Sequence, residues 1–259
     1  MPQEEPVPKQ AQDANIVDRR DLLAWVGVAG VTAGAVPLAE VASAAEPRAA
    51  PIHAAHGRAA ALSLSDPANA AYQFFNVDEA AFIEAAIDTL IPSDAVGPGA
   101  KELGVTTYID RQMAGAYGKG DRLYLEGPFG EGTSQQGYQL LMTPAELIRA
   151  GIADIDAHAR KSYKRPFSAL SAQDRIAVLT DLEDKKIDLP TVPLATFFGL
   201  LLQLTVDGYF ADLMYAGNKD KAAWRMIGFP GANAMYMDKI EAFRNRPYVA
   251  DPMSIRDLS

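Results

Sequence analysis

The 259-residue chain contains no cysteine. That absence excludes disulfides, thiolate metal sites, iron–sulfur clusters and thioether-attached haem together. Histidine is almost as scarce. Of three, His53 and His56 lie in an Ala/Pro-rich stretch, which leaves His158 alone in the body of the chain. A Ser-His-Asp triad, a two-His zinc site or a paired Glu-x-x-His di-iron site would each have to be built around that one imidazole. Its polar surroundings, with Asp154 and Asp156 nearby, fit an ordinary surface or helix-packing role. Net positive charge is lacking as well: at −9 the chain is unsuited to nucleic acid. No apolar run reaches the roughly 20 residues needed to span a bilayer as a helix.

What is present begins with Arg19-Arg20, followed by a weakly apolar run from Leu22 to Val36 that Gly27, Gly30 and Gly34 interrupt. Pro37 breaks it, and Ala42-Ser43-Ala44 offers the small side chains a signal peptidase admits. The pattern predicts a twin-arginine export signal over residues 1–44, cleaved after Ala44, and hence a periplasmic destination. That route carries folded proteins, usually because they or a travelling partner already hold a cofactor. Residues 45–71 are rich in Ala and Pro with few large apolar side chains, so a flexible tether is expected.

Residues 72–259 read as one all-α domain, a compact helical body with long Gly/aromatic-rich loops. Asn76 and Glu79 are spaced as a capping box ahead of Phe82, Ile83, Ala86, Ile87 and Leu90, and Pro92 stops that helix. A second helix is expected over about Val105 to Met113. From Gly115 to Thr143 seven glycines alternate with Tyr117, Tyr124, Phe129 and Tyr138, a long loop suited either to wrapping a partner or to folding back on its own helices. Thr143-Pro144-Ala145-Glu146 supplies an N-cap, a first-turn proline and the N3 carboxylate for a helix with Leu147, Ile148, Ile152 and Ile155 on its apolar face. Ser171 and Asp174 cap the next, carrying Ile176, Leu179 and Leu182. After Pro190 and Pro193, Phe197 to Val206 is apolar around its circumference and is the expected central helix. A last helix is expected over about Asn233 to Phe243.

Gly97-Pro98-Gly99 and Gly115-Ala116-Tyr117-Gly118 lack both G-x-G-x-x-G spacing and a preceding strand, so no dinucleotide site is read in this chain. The many acids leave one alternative open, a self-contained exported hydrolase using two carboxylates, although no spacing separates such a pair from solvated helix faces.

The last third carries a set of ordered segments: Thr196-Phe197-Phe198, Asp207-Gly208-Tyr209-Phe210-Ala211-Asp212, Tyr215-Ala216-Gly217-Asn218-Lys219-Asp220, Trp224, and Ile227-Gly228-Phe229-Pro230-Gly231. Earlier come Leu90-Ile91-Pro92-Ser93-Asp94, Gly97-Pro98-Gly99-Ala100, Tyr108-Ile109-Asp110-Arg111-Gln112 and Gly137-Tyr138-Gln139. In this order, over about Phe74 to Gly231, they resemble the gluconate 2-dehydrogenase subunit 3 family, the small or gamma subunit of membrane-associated flavin dehydrogenases. The family pattern is similar to D-P-x-Y-G-G-N where this chain has Asp212 to Asn218, so Leu213 and Ala216 depart from it.

The resemblance implies a non-catalytic subunit with no cofactor, metal or catalytic residue of its own. FAD would sit in a separate large subunit of the glucose–methanol–choline type, which oxidises a sugar, sugar acid or alcohol, and a c-type cytochrome subunit often takes the electrons onward. The small subunit would carry the export signal, Arg19 and Arg20, to the twin-arginine translocase and escort the flavoprotein, the complex remaining associated with the inner membrane. The turn-rich stretch from Asp212 to Gly231 is the expected partner interface, through Tyr215, Gly217, Asn218, Trp224, Gly228, Phe229, Pro230 and Gly231, with Gly217, Gly228 and Gly231 expected to permit unusual backbone angles. The competing role for Trp224 and Phe229 is to pin that stretch to the chain's own core.

Overall fold

Three helix starts follow directly from local capping chemistry. Asn76 Oδ1 accepts from the Glu79 N–H and Glu79 Oε2 accepts from the Asn76 N–H, both at 2.9 Å, opening α1 (Val77–Leu90). Thr143 and Glu146 make the same reciprocal pair ahead of α3 (Pro144–Tyr163), with Pro144 at N1, and Ser171 accepts from the Asp174 N–H to open α4 (Ala172–Glu183). Between the first two lies α2 (Val105–Ala114), and α5 (Leu194–Tyr209) starts after Pro193. The remaining helices are short, α6 (Ala222–Ile227) and α7 (Met237–Ile240).

The computed structural model describes residues 71–121, 123, 125–130, 139–233 and 236–258. Arg19, Arg20, Ala42 and Ala44, and all but the last residue of the expected tether, therefore lie outside the described residues. The described body is all-α, and its β pairing among the described residues is a single parallel bridge between Gly231 and Met253. No described helix is long and apolar enough to cross a membrane.

Helix α5 is central, packing against each of α1, α2, α3 and α4. Phe197, Leu201 and Leu204 are buried within it, as are Phe82, Ile83 and Ile87 of α1 and Leu147, Ile148 and Ile155 of α3. The approach of α3 to α5 depends on Gly151: a Cβ there would lie 2.0 Å from the ring of the fully buried Phe197. The ring occupies space that any other residue on α3 would fill.

Two buried carboxylates stitch the body together. Asp110 on α2 accepts from the backbone N–H groups of Gln73, Phe74 and Phe75 at 2.7–2.9 Å, fixing the chain as it enters α1. Arg149 of α3 reinforces the same corner through Glu79, the Phe74 carbonyl and the Phe74 ring. Asp154 accepts from both the N–H and the hydroxyl of Thr191 at 2.9 Å, tying the loop before α5 to α3.

The structure corrects three readings. Ile176, expected on the apolar face of α4, is exposed, and Val178 takes the buried position beside Leu179 and Leu182. Gly217 does not adopt a left-handed angle; its neighbours Ala216 and Asn218 do. The last helix shrinks from the expected Asn233 to Phe243 to the single turn of α7, followed by further turns to Asn245. A helix that short gains too little from its own hydrogen bonds and needs packing to extend it, yet the residues around it remain exposed or half-buried.

Candidate partner interface

The segment from Asp212 to Gly231 folds as a chain of turns clamped to the C-terminal end of α5. Asp212 is its first anchor. Its Oδ1 accepts from the Met214 N–H at 3.0 Å, capping a 3-10 turn (Leu213–Tyr215), and from the Ser254 hydroxyl at 2.6 Å. Its Oδ2 accepts from the Ile255 N–H at 2.8 Å, so one carboxylate joins two stretches some forty residues apart. Asn218, fully buried, is the second anchor: its amide donates to the Ala211 carbonyl at 3.1 Å and its carbonyl accepts from the Ala223 N–H at 2.8 Å. Asn218 also takes a left-handed backbone angle, which an Asx side chain tolerates better than most.

Gly217 is needed here for space. A Cβ at that position would lie 2.1 Å from the Gly208 carbonyl oxygen, so only a hydrogen allows the turn to sit on the end of α5. Trp224 closes the segment from beneath, its indole donating to the Phe210 carbonyl while Phe229 packs edge-on against it at 5.1 Å. Beyond Gly231, the Met253 N–H donates to the Pro230 carbonyl at 3.0 Å and the Ala232 N–H to the Met253 carbonyl at 2.6 Å.

The eight expected interface residues thus divide into two sets. Gly217, Asn218, Trp224 and Gly231 are buried and hold the turns in place. Tyr215, 47% exposed, and Phe229, 43% exposed, face solvent, as does Gly228, with Pro230 half-buried beside them. The buried set positions the exposed one.

Near Tyr215 two more tyrosines gather around Asp207 at the end of α5. The α2 ring of Tyr108 lies against the Gly208 backbone, and Tyr117 follows on the turn after α2. Burial, then the charge of Asp207, pushes the Tyr108 phenol up to about 12 and raises that of Tyr117; loss of water raises the Asp207 carboxyl above the usual range. The Tyr108 and Tyr117 phenols stay protonated through neutral pH and offer donors on an aromatic surface.

A cleft of about 190 Å³ adjoins the 3-10 turn Leu213–Tyr215, lined by Tyr72, Lys101, Thr106, Leu213, Ala216 and Lys219 among others. It is smaller than the roughly 300 Å³ at which pockets begin to enclose drug-sized ligands. The Leu213 and Ala216 departures both fall on its wall. Ala216 adopts φ 74°, a left-handed angle that a glycine takes without strain.

Among the described residues, no group of three or more His, Asp or Glu is placed to hold a metal ion. His158 Nε2 lies 3.5 Å from the Ser162 hydroxyl, an i,i+4 neighbour on the same helix. The buried carboxylates Asp110 and Asp154 are engaged by backbone and hydroxyl donors and stand on different helices. The first part of the Gly-rich loop folds back, Gly118 accepting from the Ala145 N–H at the start of α3, while Tyr124 and Gly132 to Tyr138 lie outside the described residues.

Sequence reading missed Asp212 and Asp110 as anchors. An Asp one residue before a turn is a recognisable capping signal, but its second set of partners, Ser254 and Ile255, could not be found from spacing.

The chain is thus an all-α body in which buried polar residues hold exposed aromatic turns in place. Residues 77–231 match the family described as gluconate 2-dehydrogenase subunit 3. The match covers well over half of the chain, which belongs to this family and is thereby placed as a subunit of a dehydrogenase complex. Searches of curated proteins and of solved structures give no match.

Proposed function

We propose that the chain is the non-catalytic small subunit of an exported FAD-dependent dehydrogenase. It binds the flavoprotein large subunit, of the glucose–methanol–choline type, and escorts it in folded form through the twin-arginine translocase under the signal that Arg19 and Arg20 begin. In the periplasm it remains as structural partner, with a c-type cytochrome receiving the electrons. FAD is held by the large subunit, and nothing in this chain is asked to bind it.

The observation that carries this reading is family membership, read together with a contact segment whose buried residues are spent on positioning Tyr215 and Phe229. The buried carboxylates that a hydrolase would need are instead used as caps for backbone donors, which favours the accessory role.

The test is replacement of Arg19 and Arg20 together by Lys. The ammonium groups keep the charge but lose the planar guanidinium fork a receptor reads, so both this chain and the flavoprotein should accumulate in the cytoplasm. A flavoprotein that still reached the periplasm would end the escort role. Separately, the purified chain should be colourless and should not reduce an artificial acceptor with sugars or alcohols; flavin absorbance intrinsic to the folded chain would overturn the non-catalytic assignment.

A further inference from the structure

The N-terminus of α2 buries two donors on one residue. Thr106, the second residue of the helix, is 4% exposed. Neither its hydroxyl nor its backbone N–H makes a hydrogen bond among the described residues, whereas the N–H groups around it do: Val105 donates to the Ala100 carbonyl, and Thr107 and Tyr108 both donate to that of Gly104. The N-cap, Gly104, brings no side chain to close the helix end. Buried N–H groups left without a partner are rare in folded proteins, so a second group is expected to reach this one.

Thr106 lines the cleft of about 190 Å³ that α2 shares with the turn Leu213–Tyr215. Two lysines line it as well. Lys101 is already engaged: its Nζ pairs with Glu84 at 2.9 Å, and the Tyr72 hydroxyl donates to the other oxygen of that carboxylate at 2.9 Å. Lys219 differs. Its backbone N–H donates to the Leu103 carbonyl at 3.1 Å, which fixes it beside the start of α2, and its ammonium has no ion pair among the described residues.

Glu102 also lines the cleft, so the charges of Lys101, Lys219, Glu84 and Glu102 cancel and the donors, rather than net charge, select the ligand. An N–H and an O–H on one residue, at the positive end of the helix dipole, match the two oxygens of one carboxylate. Lys219 is the counter-charge left for it. A dianion would meet Glu84 and Glu102 with only one cation unpaired, and a cation would meet the N–H and the helix dipole at their repulsive end. The volume admits only a small molecule.

We propose that this cleft is a binding site for a small monocarboxylate, whose oxygens accept from the Thr106 N–H and hydroxyl and pair with the Lys219 ammonium. The cleft walls come from α2 and its preceding turn on one side and from Leu213 to Lys219 on the other, so the bound acid fastens the turn segment to the body and stabilises the fold by mass action. The site calls on no partner chain and stands apart from the subunit assignment.

The experiment titrates the full chain with sodium acetate, against sodium chloride at matched ionic strength, phosphate, and acetamide as the neutral counterpart. Acetate should raise the melting temperature along a saturating curve with a dissociation constant on the order of 1 mM, the scale open to so small a ligand. It should also move the Thr106 amide resonance of the isotope-labelled chain. Thr106→Val keeps the shape and removes one donor, so acetate should bind about 10-fold more weakly. Lys219→Met, at an exposed position, should weaken acetate by a similar factor at unchanged fold, and it carries the test if Thr106→Val folds poorly. Undiminished acetate affinity in Lys219→Met, or an acetate effect that leaves the Thr106 amide unmoved, would overturn the proposal. So would the absence of a saturating effect, an equal effect of acetamide or chloride, or tighter binding of phosphate than of acetate.

Discussion

The indole N–H of Trp224 donates to the backbone carbonyl of Phe210 at 2.8 Å, joining α6 to the residue that ends α5. Trp224 is 6% exposed and meets Phe229, 43% exposed, in a T-shaped ring contact, so the two aromatics differ in role although both were read as contact residues. Trp224 holds the turn segment to the body. Phe229 covers it from the solvent side.

Trp224→Ala should therefore destabilise the isolated subunit by about 3–5 kcal/mol, from the cavity and the stranded Phe210 carbonyl. Phe229→Ala should cost about 1 kcal/mol or less, because much of its ring already meets water. Thermal melts of the two variants check the contrast. Flavoprotein binding should fall in Phe229→Ala at unchanged fold, and equal melting losses in both variants would assign both rings to the core.

Ala216→Gly should stabilise the chain by about 0.5–1 kcal/mol. The left-handed angle at φ 74° costs an L-residue about 1–2 kcal/mol, which outweighs the extra freedom glycine gains in the unfolded chain. Denaturant unfolding should show a higher midpoint at unchanged slope. A lower midpoint would mean that the packing of the buried alanine methyl outweighs its backbone strain.

Gly151→Ala should destabilise by about 1–3 kcal/mol, even though alanine is the better helix former by roughly 1 kcal/mol. The added methyl would overlap the Phe197 ring, which is closed in on every side. Pairing it with Phe197→Leu should recover part of the loss, measured as non-additivity in a double-mutant cycle.

Glu146 ties the start of α3 to acid stability. Hydrogen bonds from the Thr143 backbone, then from its hydroxyl, hold the carboxyl below the usual range. A folded-state value below the unfolded one means the contribution is present above the unfolded pKa near 4 and is lost as pH falls through the folded value. Glu146→Gln should thus be less stable than the parent at neutral pH, and the gap should close below about pH 4. Melting curves from pH 3 to 7 test this, and a gap that stayed constant would show that the neutral amide caps as well as the carboxylate.

Local chemistry made most helices legible before any contact was known. Asn76 with Glu79, Thr143 with Glu146 and Ser171 with Asp174 act within three residues, and α1, α3 and α4 begin where these pairs place them. The apolar run after Pro193 likewise identified α5 as the helix that the others surround. Signals that reach only one turn along the chain can be read from the chain alone.

The sequence by itself thus determined an all-α body, its cysteine-free and histidine-poor chemistry, and the family it belongs to. Tertiary structure alone decided which aromatics of Asp212 to Gly231 are buried, that Gly217 serves a close approach, and that Asp212 holds the distant Ser254 and Ile255. It also left Ile176 in solvent and stopped the last helix after one turn. Burial depends on which remote surface arrives to cover a side chain, and a carboxylate's second partner depends on where the chain returns. Neither is encoded in the spacing of neighbouring residues.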